Sequence, residues 1–582
     1  MNRRSTLLGS LILLTAGASS AAAAGAEPSV PAKARAVLQG IGERGALVLA
    51  EDLYGDRATR IVYLDQGWGP AETLWFYHAD QGSVLLPYQT LIHLEQADNE
   101  RPFIQTENLA RFRFLTQHKT PNNPDALPVG FSRHDDQVGL TCAACHTAQL
   151  NYRGTAMRID GAQALADITG FFLALQAALT ATLTDEAKLT RFVAAQPGAG
   201  HGAAAREAAR QSLTATLRWF ESYNTVNHTA TAEGFGRLDA IDRIINQAIR
   251  FTSDPKNSIQ ASAPASFPVL WDAPRHDYVQ WTGFSSNAGA GSLGRNAGEV
   301  LGVFGHIQVK HYETEKEAKK GYQSTVTGNA LVAMEESLRR LKSPRWPETI
   351  LPPIDRQLAA RGESLYKAQC QSCHAAIDRE DPQRKVVAII TGIDLVGTDD
   401  TSARNLLQAR APAGILEGAI SPKGEKYGPQ LSALALIGDL VTRTLAAQPT
   451  AAVRAVASAK LHGLTAGPKH GDHPQPTDQN PTADLMAYKA RPLNGVWASA
   501  PYLHNGSVPT LYDLLLPPAE RPRQFAVGRW EYDPRKVGYV SAGQVPFVVD
   551  TSVVGNSNRG HEYGVKLADA DRWALVEYMK TL

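Results

Sequence analysis

Apolar residues do not keep one period along this chain, and the changes of period mark its regions. Leu7 to Ala16 are mostly apolar, preceded by Asn2, Arg3 and Arg4 and followed by the small residues Ala21 to Ala26. The run is well short of the ~20 residues a helix needs to cross a bilayer, and a basic start, apolar centre and small-residue end predict an export signal over residues 1–26. Residues 27–135 alternate aromatic clusters, such as Tyr63-Leu-Asp-Gln-Gly-Trp68, Leu74-Trp-Phe-Tyr77 and Leu85-Leu-Pro-Tyr88, with turn residues. That pattern predicts a loop-rich cap. Ala162 to Ile249 is rich in Ala and Leu at helical spacing, for example Leu165, Ile168, Phe172 and Leu175, so most of 136–350 reads as helix. Another helix is predicted from Arg356 through Leu358 and Tyr366 to Cys370, and Pro468 to Pro481 reads as a loop. A closing helix with an Asp cap is predicted over Ala568 to Tyr578. The fold class is therefore mainly α with few short strands, and no later segment reads as a membrane span.

Charge narrows the function classes. The 582 residues hold 58 Lys+Arg against 57 Asp+Glu, a net charge of +1, which lacks the basic excess of a nucleic-acid binder. With 43% hydrophobic and 20% charged residues the composition is that of a folded protein with a large core.

The four cysteines carry the chemistry. They read Cys142-Ala-Ala-Cys145-His146 and Cys370-Gln-Ser-Cys373-His374, two copies of C-x-x-C-H that use every thiol in the chain. This spacing lets two thiols form thioethers to one porphyrin while the adjacent His lies under the iron, the signature of c-type haem attachment. A thioredoxin-like C-x-x-C needs no following His, and a zinc site of four thiolates leaves both histidines unexplained. Two covalent c-type haems are therefore expected, in a protein exported to the periplasm or secreted.

The sixth ligand of each iron separates an electron carrier from an enzyme. Beyond Met1 the methionines are Met157, Met334, Met486 and Met579, and Met157 follows His146 so closely that it is expected on the same helix. Haem 1 thus lacks a convenient Met and has an open or weakly held sixth position. Met486, His504, His561 and Met579 all follow His374 and are available to haem 2.

The segment Leu493-Asn-Gly-Val-Trp-Ala-Ser-Ala-Pro-Tyr-Leu-His-Asn-Gly-Ser-Val-Pro-Thr-Leu511 resembles the A-P-Y-x-H-[DN]-G-S-x-x-T-L signature of bacterial di-haem cytochrome c peroxidases. Leu511-Tyr-Asp-Leu-Leu-Leu-Pro517, Gly555-Asn-Ser-Asn-Arg-Gly-His-Glu-Tyr-Gly564 and Arg295-Asn-Ala-Gly-Glu-Val-Leu-Gly-Val-Phe304 are similar to the branch holding the rubber oxygenases and di-haem fatty-acid dioxygenases. The resemblance implies two cytochrome c-like domains, 136–350 with haem 1 and a helical insertion and 351–582 with haem 2. It implies His561 as the distal ligand of haem 2, with His504 the competitor. It also implies that Phe304 and Trp281 line an oxygen-binding pocket on haem 1, and that a Ca²⁺ sits against backbone carbonyls at Ser499 to Pro501.

Two functions fit this pattern. The first is a dioxygenase that adds O₂ to, or cleaves, a double bond of a hydrophobic unsaturated substrate, a fatty acid or isoprenoid, at haem 1. The alternative is a peroxidase-like enzyme reducing H₂O₂ with electrons from a small donor protein through haem 2. Glu299, His276 and His306 lie in the same stretches as the expected pocket, and an acid or base reaching the iron favours the alternative.

Overall fold

The computed structural model describes residues 44–198, 202–543 and 546–582. The export signal expected over 1–26 lies outside the described residues. The principal elements are β1 (Arg60–Tyr63), α1 (Pro70–His78), β2 (Thr147–Tyr152), β3 (Thr155–Asp160), α2 (Ile168–Thr184), α3 (Glu186–Ala195), α4 (Ala203–Val226), α5 (Ala240–Thr252), α6 (Gly291–Gly302), α7 (Gly328–Leu338), α8 (Arg356–Gln369), β4 (Ile389–Gly392), α9 (Ala433–Ala446), α10 (Pro449–Leu461), β5 (Ala487–Ala490) and α11 (Asp569–Met579). Helices dominate, and the strands are short, paired in small two- and three-stranded sheets.

The helix expected from Ala162 begins only at Ile168, because the Asp167 carboxylate accepts the Gly170 N–H at 2.8 Å and caps the helix there. From that start Phe171, Phe172, Leu175, Ala178 and Leu179 fall on one buried face of α2, the 3–4 spacing that lets a helix cover a core. Burying each of the larger of these side chains contributes ~1.5–3 kcal/mol. Among the described residues no single helix is long and apolar enough to cross a membrane. The pair α2 and α3 has the length and composition, but it bends by 101° and its apolar residues are packed into the core.

The stretch after the first cysteine motif is a strand hairpin, which corrects the expectation that Met157 shares a helix with His146. Arg153 and Gly154 both take positive φ, +47° and +78°, the geometry of a tight two-residue hairpin turn. Met157 therefore lies on β3, paired with Leu150 of β2 and Val62 of β1, and is fully buried. The sheet order is β1-β3-β2, so the cap region is hydrogen-bonded into the segment that follows the first motif. A second departure is at α11, whose N-cap is Ala568 with no side-chain bond, while Asp569 and Asp571 sit in its first turn.

Three cores divide the chain without following its order. The first gathers the β1-β3-β2 sheet, α8 and α11, the second gathers α2 and α4 with Phe304, and the third gathers α5, α6, α7, α9 and α10. Helices α8 and α11 lie against each other, and Gly362 allows it: a Cβ there would stand 1.9 Å from the Ala574 carbonyl oxygen. Because Cys370 is the C-cap of α8, this contact places the second motif.

Candidate functional site

The first motif is a single helical turn, Cys142–Cys145, held from three sides. Thr141 caps it, its side chain accepting the Ala143 N–H at 3.3 Å. The Gln81 amide oxygen accepts both the N–H and the thiol of Cys142 at 3.2 Å. Gly130, at φ +86°, lies so close that a Cβ would meet the Ala144 nitrogen at 2.1 Å. His146 follows directly, its ring 6.2 Å from that of Phe267, and burial pushes its pKa down to about 4. Burial also pushes the Cys142 and Cys145 thiols up to about 12, and the Glu299 carboxylate nearby acts in the same direction on both.

The second motif opens a cleft lined by Cys370, Cys373, His374, His561 and a largely apolar wall. Tyr366, one turn before the motif on α8, donates its hydroxyl to the His374 carbonyl at 2.7 Å and fixes the turn. The His374 Nδ1–H donates to the Arg491 carbonyl at 2.7 Å, which leaves Nε2 free to bind a metal. Across from it lies His561, with the two ring centres 6.2 Å apart. Two metal–imidazole bonds of about 2 Å each, with each ring centre about 1 Å behind its nitrogen, span about 6 Å, so one iron fits between these rings. Burial, with His374 and Arg521 nearby, pushes His561 down to about 3, which keeps it neutral and able to ligate.

His561 is positioned by the segment that carries the peroxidase-like signature. Asn505 donates to the carbonyls of Gly555 and Ser557 at 3.1 and 3.0 Å, and Ser507 to that of Ser557 at 3.1 Å, so the H-N-G-S stretch holds the G-N-S-N loop. Arg521 donates to the carbonyls of Gly560 and His561 at 2.8 and 3.2 Å. His504, the competing ligand, stacks instead on Tyr488 with ring centres 4.1 Å apart, and the ring that pairs with His374 is His561.

All four cysteines are free of disulfides, both motifs lie at the surface of packed cores, and the second has facing imidazoles in an apolar cleft. These residues fit covalently held porphyrins. Phe304 is buried at φ +74° in an aromatic group, its ring 5.0 Å from Phe172, 5.4 Å from Tyr223 and 5.6 Å from Trp219. Ala144 and Cys145 belong to the same apolar cluster, and Ser83, which donates to the Val303 carbonyl at 2.8 Å and accepts the Leu140 N–H at 3.1 Å, ties the Phe304 segment to the strand that leads into the first motif. Trp281 lies elsewhere, on the wall of the second cleft, 6.4 Å from the His504 ring, with its indole N–H on the Ser266 carbonyl at 3.1 Å. Glu299 accepts from the Gln280 amide at 2.6 Å, and burial raises its pKa. His276 is buried away from the cleft lining, and His306 is exposed.

Ser499 and Pro501 line the second cleft. Among the described residues no three His, Cys, Asp or Glu side chains converge to hold a metal ion. The ligands expected for Ca²⁺ at Ser499 to Pro501 are backbone carbonyls, which are outside that set of side chains.

Residues 487–526, which include β5 and the H-N-G-S stretch, match the family model described as RoxA-like, cytochrome c-like. The match gives the class: a c-type haem oxidoreductase. Across nearly its whole length the chain is similar to the uncharacterized protein y4iJ of Sinorhizobium fredii (strain NBRC 101917 / NGR234), 32% identical over 595 residues, 90% of this chain and 94% of that protein. The protein belongs to the y4iJ family. A second uncharacterized protein of the same strain, y4iM, is 31% identical over 264 residues, 40% of this chain and 51% of that protein.

Proposed function

We propose that the protein is an exported di-haem oxidoreductase, periplasmic or secreted, that adds O₂ to or cleaves a double bond of a hydrophobic unsaturated substrate, a fatty acid or isoprenoid. The observation that carries this reading is the asymmetry of the two motifs. His374 faces a second imidazole, whereas among the described residues no second imidazole ring pairs with that of His146, whose aromatic neighbour is Phe267. A c-type haem would be held by Cys142, Cys145 and His146 and would supply an iron able to take O₂ or peroxide.

The chain's own residues do the rest. Phe304, Phe172, Trp219 and Tyr223 form a dry apolar wall beside Cys145, which excludes water and suits an unsaturated hydrocarbon. At the second motif the Arg491 carbonyl fixes the tautomer of His374, and His561 closes the opposite side. A haem held by both His374 and His561 would serve to pass electrons.

Glu299 favours a second reading, reduction of H₂O₂ with electrons from a small donor protein. It is a carboxyl group near both cysteines of the first motif, raised by burial and able to hold or release a proton at its free oxygen. The deciding experiment compares O₂ uptake with oleate or polyisoprene against H₂O₂ consumption with reduced cytochrome c. O₂ uptake dependent on the unsaturated substrate supports the oxygenase. Peroxide turnover that is lost in Glu299→Gln, without such uptake, replaces it with the peroxidase.

A further inference from the structure

The second cleft has two basic side chains in its wall and no carboxylate. Lys489 and Arg491 line it together with His374, His504 and His561, whose neutral forms burial favours, and no Asp or Glu is among the lining residues. Lys489 stands on β5, its backbone N–H donating to the Trp281 carbonyl at 2.7 Å, which puts it at the Trp281 end of the cleft. Among the described residues its ammonium has no ion pair or hydrogen bond. Burial, Arg491 and Arg295 all press it toward the neutral form, and Asp277 alone opposes them. Asp277 accepts the N–H groups of Tyr278 and Ala388 at Oδ1, at 2.7 and 2.9 Å, and forms no ion pair with Lys489 among the described residues.

The other cations on this side are committed or unanswered as well. Arg491 directs Nη2 to the carbonyls of Val269 and Trp271 at 3.1 and 3.5 Å. Arg295 is paired with Glu335 and with Asn287. His276, buried beside them, has no hydrogen-bond partner at either ring nitrogen among the described residues. An ammonium enclosed in an apolar wall is strongly disfavoured unless an anion meets it.

The geometry points to a carboxylate-binding subsite in which Lys489, with Arg491 beside it, takes a carboxylate of the largely apolar guest that fills this cleft. Carboxylates of that kind come from two sources. One is a propionate side chain of the haem that Cys370, Cys373, His374 and His561 hold, so this source rests on the proposed cofactor. The other is the head group of a free unsaturated fatty acid. Both present the same planar anion on an apolar body, which matches a cleft whose largely apolar lining includes Lys489 and Arg491.

The test uses the wild-type holoprotein, Lys489→Gln and Lys489→Arg, with Lys489→Met as the neutral variant should the Gln protein fail to fold. A haem stain and iron count on the wild type come first. Absence of the second haem there fails the cofactor reading, and the oleate measurement then decides the subsite by itself. The midpoint potential of the second haem is measured by spectroelectrochemistry, and oleate binding by quenching of tryptophan fluorescence. A potential that falls in the neutral variant and returns in Lys489→Arg identifies the propionate, since an unanswered carboxylate beside the iron favours the ferric state. An unchanged potential with oleate bound roughly tenfold or more weakly in the neutral variant identifies the free acid, because a lost charge-assisted hydrogen bond has that size. A neutral variant that matches wild type in both measurements overturns the subsite.

Discussion

Replacing Gly362 by alanine sets two magnitudes against each other at the helix that delivers the second motif. In an open helix interior alanine is favoured over glycine by roughly 1 kcal/mol, so propensity alone predicts a more stable protein. In α8 the added Cβ would lie 1.9 Å from the Ala574 oxygen, 2.6 Å from its carbonyl carbon and 2.8 Å from the Tyr578 Cβ. A carbon and a carbonyl oxygen rest about 3.3 Å apart at closest, so α8 and α11 would have to part by more than about 1 Å. The opposing atoms are backbone and have no rotamer to escape into. Overpacking of this kind costs ~1–3 kcal/mol, and with backbone as the opposing atoms the upper end applies, which outweighs the propensity gain and leaves a net loss of up to about 2 kcal/mol. The same displacement reaches Cys370 at the end of α8 and the Tyr366 hydroxyl on the His374 carbonyl, so the second site shifts with the helix. The assay is thermal unfolding of the holoprotein with electron paramagnetic resonance of its haems, against Gly438→Ala as control. Gly438 lies inside α9 with nothing within 4 Å of its would-be Cβ, so alanine there should stabilise by ~0.5–1 kcal/mol. Two variants that stabilise alike, with unaltered spectra, would falsify the claim that the α8–α11 contact positions the second motif.

Three further outcomes are expected. Cys142→Ala and Cys370→Ala should each lose the covalent attachment of one haem and keep the other, read by haem staining under denaturing conditions with iron quantification; full staining of either single variant contradicts the two-motif assignment. His561→Ala should remove a low-spin signal from the resonance spectrum while leaving haem content intact, and an unchanged spectrum rules His561 out as the ligand opposite His374. Phe304→Leu should destabilise the protein by ~1–2 kcal/mol through the cavity it leaves among Phe172, Trp219 and Tyr223, and should alter O₂ binding at the first site without touching the low-spin signal. Wild-type O₂ binding in that variant would separate Phe304 from the gas-binding face.

Local chemistry is what the sequence makes legible. The helix from Arg356 into Cys370 shows in its apolar spacing, since Ala359, Gly362 and Tyr366 fall on one buried face. The two C-x-x-C-H motifs show because attachment and ligation need fixed neighbours in the chain. The hairpin that carries Met157 has a signal too, Arg153-Gly154, but turn chemistry at two residues is outweighed by the expectation that a helix continues past the motif. Pairings across long separations leave none: β1 meets β3 about ninety residues away, and Arg60 has no feature that names Thr155 as its partner. Tyr366, Gln81, Arg521 and Arg491 escape a sequence reading for a related reason. Each acts on the motif residues or the His561 loop through backbone groups or through its own carbonyl, and a carbonyl is the same in every residue.

Trp281 is a case in which the resemblance and the structure part. It lies twenty-three positions before Phe304, and the resemblance groups the two in one pocket. The chain turns between them, and Phe304 packs on α2 and α4 beside the first motif while Trp281 faces His504 in the second cleft. Its indole N–H bonds the Ser266 carbonyl, and the next residue, Phe267, is the ring that pairs with His146. Trp281 therefore borders the second site by its side chain and the first through one hydrogen bond and one aromatic contact. The Trp281 indole thus ties the wall of the second cleft to the residue next to Phe267, whose ring lies 6.2 Å from that of His146.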